Sequence, residues 1–467
     1  AEPELDRFVE SVARARRAAD GLTGPTAAPS PAAVAELDAS FGLERSLKRE
    51  GEPRFCLTIE EAHAHAERLA ELVGVTRVAM ITRLSELEGF HVSQAARPSG
   101  AWSSSYGSGK SSTPQGAMVG AIMEETEKWA QERFVGQPRW SSYAALRDQV
   151  PALDPRALDL PYDSPYHEDL EIAWHECVDL LSAERIHVPL AAIACSFNAG
   201  HNNILFCARG SRVTFSTNGL ASGFTLAEAL VHGTCEYIER HAARLAELRV
   251  ENPGTSRRET WPRRIELGSL PPSVARLVEG LQANGGQLEL WDISSEVRVP
   301  TVYARLVQDQ ELARGWACHP NPALAAQMAV LEAGQTVVAA IAAGREDLII
   351  KARSLGRHER ANPLRGSALA YWKDPDAPTV ALSELRGLVS NDAYAELDWI
   401  RQRLREAGLR RLVAVDLTQE AMRPARAVRV LIPGLETNNP YYTGPRAAAA
   451  LLDDMLPWAS PPREERR

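Results

Sequence analysis

Ser216-Thr-Asn-Gly-Leu-Ala-Ser-Gly-Phe-Thr-Leu-Ala-Glu-Ala-Leu-Val-His-Gly-Thr-Cys-Glu-Tyr-Ile-Glu-Arg240 is the stretch on which the reading of this chain turns. On a helix turning about 100° per residue, Glu228, His232, Glu236 and Glu239 fall within a sector of roughly 80°. The rest of the segment is Ala, Leu, Val, Cys, Tyr and Ile, so the helix is expected to be largely buried. Like charges three or four residues apart weaken even an exposed helix by a few tenths of a kcal/mol. Burying them unpaired costs several kcal/mol each, and a bound cation is the simplest compensation.

Two other segments repeat the pattern. Gly120-Ala-Ile-Met-Glu-Glu-Thr-Glu-Lys128 carries Glu124 and Glu127, and Gln327-Met-Ala-Val-Leu-Glu-Ala-Gly-Gln335 carries Glu332 and Gln335. Each pair is spaced i, i+3, which places both side chains on one helix face. A Glu-x-x-Glu pair alone also suits a solvated face, but the neighbours of Glu332 are almost all apolar. The physical reading is a site where several helices aim carboxylates at a hard cation. Magnesium fits, because it takes oxygen ligands and bridges carboxylates to phosphates.

Composition sets the frame. The chain has 467 residues, 45% hydrophobic and 24% charged, with a net charge of −9. These are the proportions of a globular protein, and the acidic balance disfavours nucleic acid as a partner. No run looks like the roughly 18 apolar residues of a membrane span, and no signal pattern follows the acidic start, so a cytoplasmic protein with no membrane partner is expected. The cysteines at 56, 177, 195, 207, 235 and 318 form no Cys-x-x-Cys pair, which points to reduced buried thiols.

Along the chain, residues 1–73 read as a helical extension, for peptide recognition or dimerisation, ahead of a domain at 74–467. Within it, Thr58 to Val73 is amphipathic, Thr58 and Glu61 have capping-box spacing, and Gly74 ends the helix. A strand is expected at 75–82, a Ser/Gly-rich loop at 99–114 and a helix at 118–134. Further strands are expected at 188–195, 203–206, 287–299, 302–307 and within 411–435, and a long apolar helix at 323–343. Strands that do not alternate regularly with helices indicate an α+β architecture. Tyr106-Gly-Ser-Gly-Lys-Ser-Ser112 invites a P-loop reading, but Ser104 stands where that pattern needs its first glycine. Lys110 remains a candidate point charge for a phosphate. His201 reads as structural, and His232 as either a core histidine or a partner for a glutamate or phosphate. Arg345 follows a helix-ending glycine and reads as a phosphate contact or a surface cap.

Taken in order, these residues resemble the YcaO family of ATP-dependent peptide backbone-modifying enzymes. The resemblance runs from Gly74 to Glu436. It passes through Ala96-Arg-Pro98, Gly109-Lys110, Glu124 and Glu127, then Asn218-Gly-Leu-Ala-Ser-Gly223, Glu228, His232-Gly233 and Glu236-x-x-Glu239-Arg240. Glu332-Ala-x-Gln335, Val415-Asp-Leu-Thr418 and Ile432-Pro-Gly-Leu-Glu436 complete it. The resemblance implies YcaO-type mixed sheets with long helices lining a nucleotide cleft. It further implies that Glu124, Glu127, Glu236 and Glu239 are Mg2+ ligands. Lys110, Glu228 and Arg240 would contact ATP, with Glu332 and Gln335 completing its pocket.

The activity so implied is O-phosphorylation of a backbone amide in a ribosomally made precursor peptide, followed by loss of phosphate. Azoline formation heads the expected products, with a macroamidine or thioamide as alternatives. No side-chain nucleophile is required of the protein, and no catalytic residue is named. A homodimer and a separate partner protein are compatible with the pattern. The family usually has Ser at Gly120, Arg at Lys128, and cations at Met328 and Val337. Those departures motivate a second reading, a non-catalytic scaffold that binds peptide for an active partner.

Overall fold

The structure is a computed structural model, and it describes residues 28–49, 55–98, 106–158, 160, 164–194, 205, 217–251, 262–283, 285–308, 311–342 and 371–436. The expected helix before residue 28, the strand at 203–206 apart from Leu205, His201, Arg345 and the C-terminal tail lie outside these residues, as do Cys195 and Cys207.

In chain order the described elements are α1 (Pro31–Phe41), α2 (Ile59–Val73), β1 (Arg77–Met80), β2 (His91–Ala96), β3 (Tyr106–Ser111), α3 (Pro114–Arg133), β4 (Arg139–Ser141), α4 (Tyr143–Leu146), β5 (Ile172–Asp179), β6 (Glu184–Pro189) and β7 (Leu220–Gly223). They continue with α5 (Leu226–Glu251), β8 (Arg263–Ile265), α6 (Pro272–Gln282), β9 (Gln287–Asp292), β10 (Thr301–Gln308), β11 (Glu311–Cys318), α7 (Pro322–Ile341), β12 (Thr379–Val380), α8 (Ala393–Glu406), β13 (Val413–Asp416) and β14 (Arg426–Leu431).

The strands form three sheets, ordered β1-β2-β3, β11-β10-β9-β8-β12 and β4-β5-β13-β14-β7, with β6 on the flank of β5. Every strand pair is antiparallel except β12 with β8. Each sheet carries one of the three long helices. Helix α3 packs on β2 and β3, α5 on β7 and β14, and α7 on β10 and β11. Cross-contacts of α3 with β7, α5 with β11 and α7 with β3 bring the three helices to one place. This is the α+β arrangement that the sequence indicates.

Local chemistry explains the ends of the elements. The Thr58 hydroxyl accepts from the Glu61 amide (3.2 Å), while the Glu61 carboxylate accepts from the Thr58 amide (2.9 Å). Ala62, Ala66, Leu69 and Val73 form the buried face of α2 and join the main core. Thr113 and Asn321 cap α3 and α7, each followed by a proline in the first turn, where no amide partner is lost. Ahead of α2, Asp38 of α1 pairs with Arg401 of α8 (2.7 Å) and Lys48 pairs with Glu396 of α8 (2.6 Å), both within the interior. Residues 28–49 are thereby clamped to the body of the molecule.

Several expectations need correction. The segment 106–111 is a strand, not a loop. Strand β6 ends at Pro189, where a 3-10 turn begins at Leu190, and β9 stops at Asp292. Helices α6 and α8 were not expected; α6 is amphipathic but lies in a stretch punctuated by prolines. Helix α7 is also long and apolar enough to pass for a membrane span by length and composition, contrary to the sequence reading. It packs on β10, β11 and β3, and Ala325, Ala326, Ala329 and Val330 are buried in the core.

The strand at 106–111 has a steric cause. Gly107 and Gly109 are buried on the side facing α3, while Ser108 and Lys110 point the other way. A Cβ at Gly109 would lie 1.9 Å from the Ala117 carbonyl oxygen, and one at Gly107 2.2 Å from that of Ala121. Gly120 meets them from the helix: a Cβ there would be 3.2 Å from the Gly109 Cα. The glycines let a strand lie directly on a helix. Gly109→Ala is therefore expected to cost about 3 kcal/mol or more through overpacking, measured by denaturant unfolding. Retention of full stability would contradict this packing.

Candidate functional site

The alternation of β3 decides what faces the space between the helices. The Ser108 amide donates to Glu124 Oε2 (2.7 Å), and the Ser108 hydroxyl accepts from Gln335 Nε2 (2.8 Å). Lys110 Nζ lies 2.7 Å from Glu332 Oε2. One strand thus contacts a carboxylate of α3 and both Glu332 and Gln335 of α7.

Helix α3 presents Glu124 and Glu127 to this space. Glu127 Oε1 accepts from the Ser222 hydroxyl at the end of β7 (2.7 Å). Between them in sequence, Glu125 turns away and is fully buried against Arg97 and Lys128. Helix α5 presents Glu236, which accepts from the Gly219 amide (3.2 Å) and lies 3.6 Å from Arg240. Glu239 is buried one turn further on, where the charges of Arg240, Glu332, Glu236 and Lys110 act on it.

Not all of the expected stripe on α5 belongs to this group. Glu228 and Glu239 share a direction around the helix but stand about 16 Å apart along it. Glu228 uses its two oxygens on the amides of Cys56 (2.6 Å) and Phe224 (2.8 Å), tying the segment before α2 to the start of α5. With His232, Cys235, Met328 and Glu396 it lines an adjoining open cleft. His232 is exposed there, so the core-histidine reading is corrected. Ser222 also lines the cleft and bonds Glu127, so the two spaces are contiguous.

Burial dominates the electrostatics. It pushes the Glu127 carboxyl up to about 8; the Ser222 hydrogen bond opposes this, and the charges of Glu124 and Glu236 reinforce it. Burial likewise lifts Glu239 to about 8 against the pull of Arg240, with Glu332 and Glu236 adding to the rise. Glu236 is raised as well, again by burial first. Burial disfavours the charged Arg240 guanidinium, but Glu239, Glu236 and Glu332 keep it charged. The helices therefore bring together more negative charge than their own cations neutralise, and protons make up the difference.

This arrangement fits a divalent cation held jointly with phosphates. Among the described residues, no three His, Cys, Asp or Glu side chains converge closely enough to hold a metal by themselves. Magnesium does not need such a cage, since it is ordinarily held by one or two carboxylates plus substrate phosphates and water. Of the residues expected from the sequence, Lys110, Glu124, Glu127, Glu236, Glu239, Arg240, Glu332 and Gln335 meet around this space, while Glu228 belongs to the cleft beside it. Ser108 and Glu125 were given no role by the sequence reading, which quoted Arg97, Ser222 and Lys128 only as positions in the family's pattern. The alternating glycines of β3 were the available signal for Ser108.

Residues 108–436 match the family described as YcaO cyclodehydratase, ATP- and Mg2+-binding. An uncharacterized protein of Methanothermobacter thermautotrophicus is 30% identical over 390 residues, covering 81% of this chain and 93% of its own length. Among solved structures, YcaO from Methanopyrus kandleri bound with AMPPCP and Mg2+ is similar at a TM-score of 0.59 and 22% identity, over 82% of this chain and 92% of that one. A heterocyclase in complex with substrate and cofactor is similar at a TM-score of 0.68 and 19% identity, over 88% of this chain. The match spans only 56% of that heterocyclase's length.

The raised carboxyls carry a pH dependence with a definite sign. Glu127 and Glu239 hold protons in the folded chain up to about pH 8, against 4.5 for an ordinary glutamate. The folded state binds more protons in that window, so their contribution is full below 4.5 and is lost as pH rises through about 8. The melting temperature of the metal-free protein is expected to fall on the order of 5 °C between roughly pH 6 and 9. Mg2+ with a non-hydrolysable ATP analogue should reduce that fall. A flat or rising profile would count against the charge imbalance.

Proposed function

The chain belongs to the YcaO family of ATP- and Mg2+-binding cyclodehydratases, and from this premise we propose that it activates a backbone amide of a ribosomally made precursor peptide to form an azoline. The observation that carries the proposal is the meeting of Glu124/Glu127, Glu236/Glu239 and Glu332/Gln335 from three helices around Lys110.

In this reading a Cys, Ser or Thr side chain of the peptide adds to the preceding carbonyl carbon. The former amide oxygen takes the γ-phosphoryl group of ATP, then leaves as phosphate while the C=N bond forms. The peptide loses the elements of water, and ATP becomes ADP and phosphate. Phosphoryl transfer of this kind depends on positioning and charge neutralisation more than on a protein nucleophile.

Glu124, Glu127, Glu236 and Glu239 would hold Mg2+, which would supply neutralisation of the phosphate charge. Lys110 would exchange Glu332 for a phosphate oxygen, and its ammonium is within reach because the Lys110–Glu332 pair is half-buried rather than sealed. Arg240 and Gln335 would complete the nucleotide pocket. Glu228 would act at the nucleotide's edge, where the cleft meets the carboxylates. The peptide is the expected macromolecular partner, and the cytoplasm, where ATP and ribosomal peptides meet, the expected location.

The test is the mass of a precursor peptide encoded beside this chain, after incubation with the protein, Mg2+ and ATP. Loss of one water per ADP released, reversed by mild acid, is expected. A gain of sulfur for oxygen would indicate a thioamide instead, and water loss resistant to acid an amidine. Glu236→Ala should abolish peptide-dependent phosphate release, a fall of at least about 10²-fold if charge neutralisation is its role. Unchanged turnover in that variant would sink the proposal.

A further inference from the structure

Lys128 has every donor of its ammonium group committed. Nζ lies 2.9 Å from Glu124 Oε1, 2.9 Å from Glu125 Oε1 and 2.7 Å from the Tyr106 carbonyl oxygen. Its side chain is only 7% exposed, so no other group can readily take one of these places. Glu125, with a side-chain exposure of 0%, accepts from Arg97 Nε on its other oxygen (2.9 Å). Arg97 in turn makes two parallel bonds to Glu132 (2.9 Å each). A chain of alternating charges therefore runs from Glu132 through Arg97, Glu125 and Lys128 to Glu124.

At the near end, Glu124 is gripped on both oxygens, by Lys128 on Oε1 and by the Ser108 amide on Oε2. A carboxylate offers about four acceptor positions, so two remain for a cation without either grip being broken. The charges of Lys128 and Glu125, and of Arg97 and Glu132, cancel pairwise. The set thus fixes the Glu124 carboxylate in orientation without adding net positive charge beside it.

We propose that Lys128 is a positioning residue that presents Glu124 to the divalent cation, held in place for that task by Glu125 and Arg97. The inference rests on the reading of Glu124 as a metal ligand. It reverses the sense of an ion pair that would otherwise be taken as competition: Lys128 supports metal binding. Groups that orient a metal ligand through hydrogen bonds typically change metal affinity by about 10- to 100-fold when removed.

The experiment is Mn2+ binding to the full chain with a non-hydrolysable ATP analogue, followed by electron paramagnetic resonance. It compares Glu124→Gln, Lys128→Met, Lys128→Arg and Glu125→Gln. Lys128→Met should weaken Mn2+ binding about 10-fold, with Lys128→Arg restoring it to within about 3-fold, because the guanidinium keeps the charge and donors. Glu125→Gln, nearly the same in shape, should weaken binding by about 3-fold and remains informative if Lys128→Met does not fold. Unchanged or tighter binding in Lys128→Met, or in Glu125→Gln where Lys128→Met does not fold, would overturn the inference, provided Glu124→Gln binds weakly. Arginine performing no better than methionine would also overturn it. Unchanged binding in Glu124→Gln would instead remove the ligand reading on which it stands.

Discussion

Concentrated negative charge in the interior is the constraint around which this molecule is organised. Glutamates from α3, α5 and α7 are brought together where burial pushes Glu127 and Glu239 to hold protons up to about pH 8. Such an assembly costs free energy in the absence of a cation, because desolvation of each carboxylate exceeds what one neighbouring ammonium or guanidinium returns. Hydrophobic packing elsewhere offsets that cost. Each of the three helices sits on its own sheet, and together the sheets hold the carboxylates at a spacing the charges would not choose.

The chain manages this charge in two distinct ways. Some carboxylates are neutralised permanently: Glu125 by Arg97 and Lys128, Glu396 by Lys48, Asp38 by Arg401. Others have only partial relief, from single hydroxyl or amide donors or from a cation that reaches the site on a flexible stem. Ser222 on Glu127 and Gly219 on Glu236 are of this second kind. The division separates the framework from carboxylates whose charge is not fully matched inside the chain. It also explains why acidic residues adjacent in sequence, Glu124, Glu125 and Glu127, have different fates: successive residues of a helix point in different directions.

The candidate site was legible where chemistry is carried by local spacing. The i, i+3 pairs on α3, α5 and α7 place their members on one face whatever the fold, and their apolar flanks imply burial. The Thr58–Glu61 cap and the Gly74 stop were equally local. Tyr106–Ser111 was misread because its glycines are turn formers in isolation. They act here as vacancies in the side-chain layer, needed only because α3 lies against the strand. Glu228 was grouped with Glu236 and Glu239 because a helical wheel discards distance along the axis. Met328, which stands where the family usually has a cation, lines the neighbouring cleft.

The amino-acid sequence by itself determined which side chains could serve a hard cation and which helices would carry them, since helical periodicity and burial follow from residue order. It also determined the family, through an ordered series of short motifs. Tertiary structure alone decided how the helices meet, that Ser108 and Lys110 point from a strand into the space between them, and which carboxylates are already spent on internal cations. Those outcomes depend on contacts between residues as far apart as Lys110 and Glu332, or Ser222 and Glu127. No local rule of spacing connects such pairs; packing of three sheets and their helices does.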